Sequence, residues 1–308
     1  MQHVTALEAL MLDRPAHVTI GAFDGLHRGH QALVGALVAE AHAAQQAAVV
    51  VTFFPHPSVV LRGRRPSFYL STPDEKVAYL ARLGVDAVIT HPFSRAVANV
   101  PAADFVAGLV RHARLRCLWA GADFALGHNR EGDVDYLRKA GVVHDFDVRV
   151  MEPVLIDGEV ISSTRIRQTL RDGAVEQAAR YLGRPFRLSG EVVQGARRGR
   201  QLGIPTANLA VWDEHAVPAV GVYAARARHA AGASQAVVNI GFRPTFAGGE
   251  LRPVIEAHLL DFTGDLYAST LGLDFVARLR PEMKFPGVDA LVAQIHRDIA
   301  SARVILSE

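Results

Sequence analysis

The chain has 308 residues, of which 50% are hydrophobic and 21% are charged, and its formal net charge is +2. This length favours two domains, and the small net charge argues against a protein that binds nucleic acid or a membrane surface. Cys117 is the only cysteine, so no disulfide can form within the chain, which fits a reducing compartment. The N-terminus does not follow the pattern of a signal peptide, and no run of about 18 apolar residues occurs. We therefore expect a soluble, cytoplasmic protein.

The first half of the sequence alternates between strand-like and helical runs. The strand-like runs are 17–23, 47–53, 85–91 and 116–121, and the helical runs are 29–45, 71–84 and 101–114. The run AAVVVTF is almost entirely apolar, which is typical of a strand buried on both faces. This alternation predicts an α/β domain with a doubly wound parallel sheet, in which ligands bind beyond the carboxyl ends of the strands. Residues 21–30 and 121–133 follow two of these strands.

The helical run 71–84 carries signals for both of its ends. Thr72 and Glu75 have the spacing of a capping box, and Pro73 occupies the first helical position. Gly84 follows the last turn, where a residue with positive φ commonly ends a helix. The sequence therefore predicts a helix bounded by Thr72 and Gly84.

The character of the sequence changes near Gly183. Two short helical pieces, 163–173 and 174–185, precede a series of β-like runs that are separated by Gly, Pro and Asp. These runs are 186–195, 221–229, 235–241, 254–262 and 271–280, and an amphipathic helical run, 287–306, closes the chain. Strands without intervening helices predict a small antiparallel β-barrel with a terminal helix. We expect one domain over residues 1–183 and a second over 184–308.

The stretch GAFDGLHRGH (21–30) has the features of an anion site, because glycines lie between a strand and a helix N-terminus. Gly21, Gly25 and Gly29 would let the backbone approach a phosphate closely. His27 and His30 can donate hydrogen bonds to phosphate oxygens and so stabilise charge during transfer at an α-phosphate. The alternative is that both histidines only cap the helix. No Walker-type loop occurs, and no Cys/His cluster has zinc spacing.

This stretch resembles the H-x-G-H signature of the nucleotidylyltransferase superfamily, and its FDG segment resembles the flavin-adenylylating branch. The stretch ISSTRIR (161–167) is similar to a second element of the superfamily, in which an arginine neutralises the leaving pyrophosphate. The resemblance implies that both elements supply cofactor-binding residues: Phe23, Asp24, Gly25, Ser163, Thr164 and Arg167.

Two further stretches resemble flavin-binding parts of the same branch. GADFALG (121–127) is similar to a G-x-[D/N]-F-x-F-G loop, which implies that Asp123 and Phe124 lie near the flavin. The chain departs from that pattern at Leu126, where the family usually has an aromatic residue. TFFPHP (52–57) also matches a stretch of the family, and the resemblance implies that the flavin or nucleotide pocket is lined by Phe53, His56 and Pro57.

A second glycine-spaced stretch, GARRGRQLGIPTANL, begins at Gly195 and repeats glycine at Gly199 and Gly203. A flexible loop or a weak nucleic-acid contact would explain the glycines and arginines, but neither explains PTAN. In an extended segment after Pro205, Thr206 and Asn208 point the same way, and their oxygens suit Mg²⁺ that carries phosphates. The whole string resembles the riboflavin kinase signature G-x-x-x-G-x-x-x-G-x-P-T-A-N-L, so the three glycines and Pro205 are expected to bind nucleotide.

The run IEAHLLDF contains the candidate catalytic base of that kinase. Strand alternation would put Glu256 and His258 on one face, although an isolated glutamate in a strand is usually a solvated charge. The resemblance implies that Glu256 takes the proton from the 5′-hydroxyl of riboflavin.

From about residue 18 to 303 the chain therefore resembles the bacterial bifunctional riboflavin kinase/FMN adenylyltransferase family. The resemblance implies that riboflavin and ATP give FMN, that FMN and ATP give FAD and pyrophosphate, and that both steps need Mg²⁺. We expect no nucleic-acid or membrane partner and a monomer or weak homo-oligomer. Three alternatives stay open: a paralogue with only the kinase active, another H-x-G-H nucleotidylyltransferase, and a flavin-sensing or RNA-binding regulator that retains the fold.

Overall fold

The computed structural model describes residues 1–63, 67–195, 202–244 and 251–307. The chain forms two compact units: Met1–Arg65 with Ser71–Ser163, and Pro66–Leu70 with Thr164–Glu308. Within the described residues, no helix combines the length and the apolar character that crossing a membrane requires. The predicted fold class is confirmed, because one unit contains a parallel sheet and the other a closed antiparallel barrel with a terminal helix.

The first unit is built on a six-stranded sheet. The strands of this unit are β1 (Gln2–Val4), β2 (Ala16–Ile20), β3 (Ala47–Phe54), β4 (Ala87–Pro92), β5 (Leu115–Gly121), β6 (Ala125–Leu126), β7 (Gly132–Asp133), β8 (Asp147–Met151), β9 (Leu155–Ile156) and β10 (Glu159–Val160). The sheet has the order β1-β4-β3-β2-β5-β8, and all of its neighbouring strands run parallel. The short strands form two antiparallel pairs, β6 with β7 and β9 with β10.

Helices cover both faces of this sheet. They are α1 (Arg28–Ala43), α2 (Pro57–Arg62), α3 (Pro73–Arg82), α4 (Arg95–Ala98), α5 (Ala102–His112) and α6 (Val134–His144). Val50 of β3 packs in one cluster with residues of α1 and α3, whereas Val49 and Val51 pack in another with residues of α5 and α6. Alternate residues of β3 therefore enter two different cores, which explains why its sequence is a continuous apolar run.

The strand order places the two predicted ligand loops at one switch point of the sheet. From β2 the chain adds β3 and β4 on one side, and it then returns to add β5 on the other side of β2. The crevice at such a reversal, beyond the carboxyl ends of the strands, is where open α/β sheets bind ligands. Residues 21–27 follow β2 and residues 122–131 follow β5, so both loops leave the sheet at this edge.

The predicted limits of α3 are confirmed. The Thr72 hydroxyl accepts a hydrogen bond from Glu75 N–H, and the Glu75 carboxylate accepts one from Thr72 N–H. Pro73 is the first helical residue, and Gly84 has a φ of +87°. The signals for the start of the helix lie within four consecutive residues, Thr72 to Glu75, and Gly84 marks its end, which is why the sequence predicts this helix so closely.

The second unit is a closed barrel with the strand order β11-β12-β15-β14-β13-β16. The elements of this part of the chain are α7 (Ser163–Arg171), α8 (Val175–Leu182), β11 (Phe186–Val193), β12 (Ala207–Val211), β13 (Gly221–His229), β14 (Gly232–Pro244), β15 (Leu251–Leu259), β16 (Thr270–Arg280) and α9 (Val288–Ser307). The terminal helix α9 buries Ala302 and Leu306 against Val222 and Ala224 of β13. The terminal helix therefore covers an apolar part of the barrel wall and forms a second core with it.

The helical pieces α7 and α8 belong to the second unit, apart from Ser163. The Arg278 backbone N–H on β16 donates to the Glu176 carboxylate at 2.9 Å, and the Arg278 guanidinium donates to the Asp172 carbonyl at 3.2 Å. The compact units thus divide at Ser163 and Thr164, whereas our sequence boundary at residues 183 and 184 divides the functions. That functional boundary stays a prediction.

Candidate functional site

The turn between β2 and the H-x-G-H motif has a backbone conformation that most residues avoid. Phe23, Gly25 and Leu26 have φ values of +48°, +75° and +39°. Such a conformation costs roughly 1–2 kcal/mol for a residue with a Cβ, so the surroundings must hold Phe23 and Leu26 in place. Both side chains are buried. A Cβ on Gly29 would lie 3.2 Å from the His27 ring, so a larger residue there would require that ring to shift by a few tenths of an ångström.

The backbone N–H and C=O groups of this turn form hydrogen bonds with side chains and with the backbone of β3. Gly21 N–H donates to the Val51 carbonyl at 3.0 Å, and Gly25 N–H donates to the Ser71 hydroxyl at 3.2 Å. The Ser163 hydroxyl donates to the carbonyl of the buried Asp24 at 2.9 Å. Ser163, which we predicted to bind phosphate, therefore supports the backbone of the H-x-G-H turn in this structure.

The two histidines stack at the start of α1. Their ring centroids are 3.6 Å apart and their planes differ by 17°, and Phe23 packs its ring against His30 in an edge-on arrangement. His27 is the N-cap residue, and its Nδ1 accepts a hydrogen bond from His30 N–H at 3.3 Å. That bond leaves the ring proton of neutral His27 on Nε2. His27 therefore caps the helix and still has an N–H that can donate to a ligand.

Burial determines the charge of both rings. It lowers the pKa of His27 from 6.5 to about 4. Burial, the neighbouring His27 and the positive charge of Lys76 lower the pKa of His30 well below its usual value. Both rings are consequently neutral at pH 7. Within the described part of the chain, the buried Nδ1 of His30 has no hydrogen-bond partner. A bound ligand could supply that partner.

The loop after β5 borders an open cavity of about 490 Å³, and both predicted flavin contacts, Asp123 and Phe124, line it. The Arg130 guanidinium donates to the Asp123 carbonyl at 2.8 Å. Leu126 is instead buried in the core of the sheet domain, where a Cβ on Gly132 would lie 2.8 Å from its Cδ1. Leu126, where the chain departs from the family pattern, therefore packs in the core and does not line this cavity.

The end of β3 and the start of α2 carry the residues that we predicted to line the flavin or nucleotide pocket. The Phe53 ring packs edge-on against Phe93 with centroids 5.4 Å apart. His56 is the N-cap of α2, where its Nδ1 accepts from Ser58 N–H at 3.0 Å, and Pro57 is the first residue of that helix. His56 thus has a local structural role, and its binding role stays a prediction.

The remaining predicted phosphate contacts lie on α7. Thr164 is exposed in the first turn of α7. Arg167 is buried: its Nε donates to the Phe68 carbonyl at 2.6 Å, and its guanidinium lies 3.9 Å from the centre of the Phe68 ring. The chain segment before α3 therefore holds this arginine in a defined orientation.

In the barrel, the predicted kinase residues meet across neighbouring strands. Glu256 on β15 lies opposite Asn208 on β12 and opposite Asn239 on β14. Glu256, Thr206 and His258 line one cavity of about 400 Å³. The prediction that Glu256 and His258 share a face is confirmed. Asn239 lines the same cavity and was missed by the sequence analysis, because strand pairing rather than sequence spacing brings it there.

The PTAN segment is held by its neighbours. His258 Nδ1 forms a hydrogen bond with the Pro205 carbonyl at 2.7 Å, next to Thr206. A Cβ on Gly195 would collide with the Asn208 side-chain amide, so a larger residue at this position would displace that amide. Gly203 has a φ of +73°. Gly199 lies outside the described residues.

The segment before α9 and α9 itself line another part of this cavity with both charged and apolar side chains. Arg280 donates hydrogen bonds from Nε to both carboxylate oxygens of the buried Asp298. Apolar side chains from α9 and from the segment before it line the same cavity. These apolar residues are Met283, Phe285, Leu291 and Ile295. A cavity that combines polar strand residues with apolar residues of α9 and the segment before it suits a ligand that has a flat apolar ring and a polar chain.

One group of potential metal ligands among the described residues lies at the opposite edge of the parallel sheet. Ligand atoms of His17, Glu40 and Cys117 lie within 4.8 Å of one another. His17 Nδ1 already accepts from Trp119, the Glu40 carboxylate pairs with Arg149 at 3.3 Å, and burial raises the pKa of Cys117 to about 11. Because these groups are partnered and the thiol is protonated, we assign no metal to them.

Each half of the chain matches a known protein family. Residues 10–165 match the family model for FAD synthetase, and residues 182–306 match the family model for riboflavin kinase. The bifunctional riboflavin kinase/FMN adenylyltransferase of Escherichia coli K12 is 39% identical over 93% of this chain and 91% of its own length. The corresponding protein of Pseudomonas fluorescens is 39% identical over 99% of this chain and 98% of its own length.

A solved structure is similar over the same span. A crystal structure from Streptococcus pneumoniae, described as a macrolide-efflux protein, has a TM-score of 0.90 and 31% identity, and the match covers 98% of each chain. The fold and the sequence relatives thus agree over both units. The chain belongs to the bifunctional riboflavin kinase/FMN adenylyltransferase family.

Proposed function

We propose that this chain makes flavin cofactors in two steps. It phosphorylates riboflavin with ATP to give FMN and ADP, and it adenylylates FMN with a second ATP to give FAD and pyrophosphate. The observation that carries this proposal is that each half has its own polar cluster, His27 stacked on His30 in one and Glu256 with Thr206 on a shared cavity in the other. We do not extend macrolide efflux to this chain, because both clusters consist of the motif residues of flavin kinase and flavin adenylyltransferase.

In the kinase step, Glu256 accepts the proton of the riboflavin 5′-hydroxyl as that oxygen attacks the γ-phosphorus of ATP, and ADP leaves. The cavity that Glu256 lines supports this role, since its apolar side chains suit the flavin ring and its polar strand residues suit the ribityl chain. Glycines of the GARRGRQLG segment and Pro205 are proposed to bind the nucleotide: Gly195, Gly199 and Gly203.

Mg²⁺ is proposed to bind at Thr206 and Asn208. The donor set fits the ion, because both side chains offer oxygen and Asn208 lies directly opposite the carboxylate-bearing Glu256 in the barrel. Bound there, Mg²⁺ would neutralise negative charge on the phosphates of ATP. His258 holds the Pro205 carbonyl and so positions the backbone that carries Thr206.

In the adenylylation step, an FMN phosphate oxygen attacks the α-phosphorus of ATP, and pyrophosphate leaves. Neutral His27 and His30 are proposed to donate hydrogen bonds to the α-phosphate oxygens as charge accumulates on them. The other contacts of ATP and FMN are proposed to be Gly21, Phe23, Asp24, Gly25, Gly29, Phe53, His56, Pro57, Asp123, Phe124, Ser163, Thr164 and Arg167.

The test is a product analysis. The chain is incubated with riboflavin, ATP and Mg²⁺, and the flavins are separated by chromatography, with a parallel sample in excess EDTA. We expect FMN and FAD with Mg²⁺ and neither product with EDTA. FMN without FAD would favour a paralogue with only the kinase active, and flavin binding without either product would favour a flavin-sensing regulator.

We also propose that the protein acts in the cytoplasm as a monomer or weak homo-oligomer without a nucleic-acid partner. The net charge of +2 supports the absence of a nucleic-acid partner, because proteins that bind nucleic acid usually carry a strong basic patch. Sedimentation velocity with and without a short RNA measures the oligomeric state and RNA binding in one experiment.

A further inference from the structure

The H-x-G-H turn receives support from a lysine that no motif contains. The carbonyl of Ala22, between Gly21 and the strained Phe23, accepts two hydrogen bonds. One comes from the Thr52 hydroxyl and one from the Lys76 ammonium, both at 3.0 Å. This carbonyl is therefore fixed at the point where the chain leaves β2.

Lys76 also holds the end of the neighbouring strand. Its Nζ donates to the Thr52 hydroxyl at 3.0 Å and to the Phe53 carbonyl at 3.2 Å. Three donors thus meet three acceptors, which is the full capacity of an ammonium group. The side chain is only 6% exposed, although lysine is rarely buried to this degree. The group links the turn before the histidines to the end of β3, which carries Phe53.

The charges around Lys76 fit this role. Burial lowers its pKa to about 8, and the nearby Asp24 carboxylate acts in the opposite direction. At pH 7 the group is therefore still an ammonium, and hydrogen bonds from a charged donor are stronger than those from a neutral one. The same positive charge helps to keep His30 neutral.

We propose that Lys76 is a positioning residue for adenylyl transfer, because its ammonium ties the Ala22 carbonyl to the end of β3 and thereby fixes the turn that presents His27 and His30. This inference rests on the proposed function of the first unit. A buried lysine with a purely structural role would affect stability and leave the turnover of the folded protein unchanged.

Replacing Lys76 with methionine in the full-length chain tests the proposal, because Lys76→Met retains the apolar stem and removes all three donors. Thr52→Val is a second, milder variant that removes one acceptor and the second donor to Ala22. Lys139→Met, at an exposed position of α6, is the matched control. For each protein, kcat and KM for FAD formation from supplied FMN, FMN formation from riboflavin, and the thermal midpoint are measured.

We expect kcat for FAD formation to fall by about 10- to 100-fold in Lys76→Met, since small displacements of catalytic groups cost about that much. KM for ATP should change by less than about threefold, because the histidines act mainly on the transition state. Thr52→Val should show a smaller fall in kcat, and Lys139→Met none. Riboflavin phosphorylation should persist in all three variants.

Three results would overturn the inference: an unchanged kcat in folded Lys76→Met, a rise in KM alone, or a parallel loss of both activities. If Lys76→Met does not fold, Thr52→Val decides, and an unchanged kcat there overturns the proposal. Failure of the proposed function looks different, because the unmodified chain would then make no FAD.

Discussion

Burial keeps both histidines of the H-x-G-H turn neutral, so their contribution to catalysis is expected to come from hydrogen bonding rather than from positive charge. His30→Ala removes one donor to the α-phosphate. Loss of one such donor typically lowers the rate by about 10²–10³-fold. We expect FAD formation to fall by that factor, with little change in ATP affinity, while FMN accumulates in an assay supplied with riboflavin.

The control for His30→Ala is His144→Ala, at the exposed end of α6. A His30 ring that only packs against His27 and Phe23 would, when removed, give a lower thermal midpoint and normal FAD synthesis in the folded protein. Undiminished FAD synthesis in His30→Ala would therefore contradict the catalytic role.

The lowered pKa of His27 also predicts a pH dependence of stability. Unfolded His27 has a pKa near 6.5, whereas the folded ring has a pKa of about 4, so between these values the unfolded chain binds more protons. The free energy of unfolding should consequently fall as the pH decreases from 6.5 to 4, by up to about 1.4 kcal/mol per pH unit for this group.

Urea unfolding followed by Trp119 fluorescence measures this dependence in a Trp212→Phe background, which isolates the signal of the first unit. His27→Asn retains a side chain that can cap α1 but does not titrate. The slope against pH should be smaller in that variant, and an equal slope would show that His27 does not titrate on unfolding.

Glu256 carries the corresponding prediction for the kinase. General-base catalysis typically contributes about 10²–10⁴-fold, so Glu256→Gln should reduce FMN formation by that factor. Adenylylation of supplied FMN should remain within about twofold of the unmodified chain, because Glu256 belongs to the other unit. Glu191→Gln, exposed on β11, is the control, and normal kinase turnover in Glu256→Gln would exclude it as the base.

At the scale of elements, the close contact between Gly195, just after β11, and Asn208 on β12 limits where the Asn208 amide can lie. Gly195→Ala places a methyl group against that amide, which must then move. We expect kinase activity to fall by about 10- to 100-fold while FAD formation from supplied FMN persists, since a displaced ligand costs that much.

The matched control is Gly287→Ala, because a Cβ at that position, just before α9, meets nothing within 4 Å. Crystals or NMR spectra that showed Asn208 unmoved in an active Gly195→Ala variant would contradict the argument.

At the scale of the whole molecule, the two activities should be separable. A fragment of residues 164–308 contains the second unit apart from its segment Pro66–Leu70, and we expect it to make FMN and no FAD. A shorter fragment, 184–308, lacks α8, whose Val175, Ala178, Tyr181 and Leu182 are buried. We expect it to retain the kinase reaction with a lower thermal midpoint, because burial of each large apolar side chain contributes about 1.5–3 kcal/mol.

Both fragments are compared by thermal unfolding and by flavin chromatography. If the longer fragment folds and binds riboflavin but forms no FMN, the assignment of the kinase to this half of the chain is wrong.

Local patterns in the sequence were sufficient to predict most elements and the motif residues. The alternation of apolar runs predicts β2 to β5, the capping residues predict both ends of α3, and the glycines predict turns and close approaches. Each of these depends on residues within about ten positions of one another, where backbone sterics and side-chain capping act directly. The same reasoning identified His27, His30 and Thr206 as candidates, whereas the role of Glu256 came from the resemblance to riboflavin kinases.

Only the tertiary structure could decide which distant residues meet. Asn239 joins Glu256 because β14 pairs with β15, and Lys76 reaches Ala22 because α3 packs against β3 and the turn after β2. A partial signal for Lys76 was present, since it shares the buried face of α3 with Leu80 four positions later. The choice of strand partners and the depth of burial depend on the packing of the whole domain, and no short window of sequence contains them. For the same reason, the sequence determined which histidines are present, and the fold determined that they are neutral.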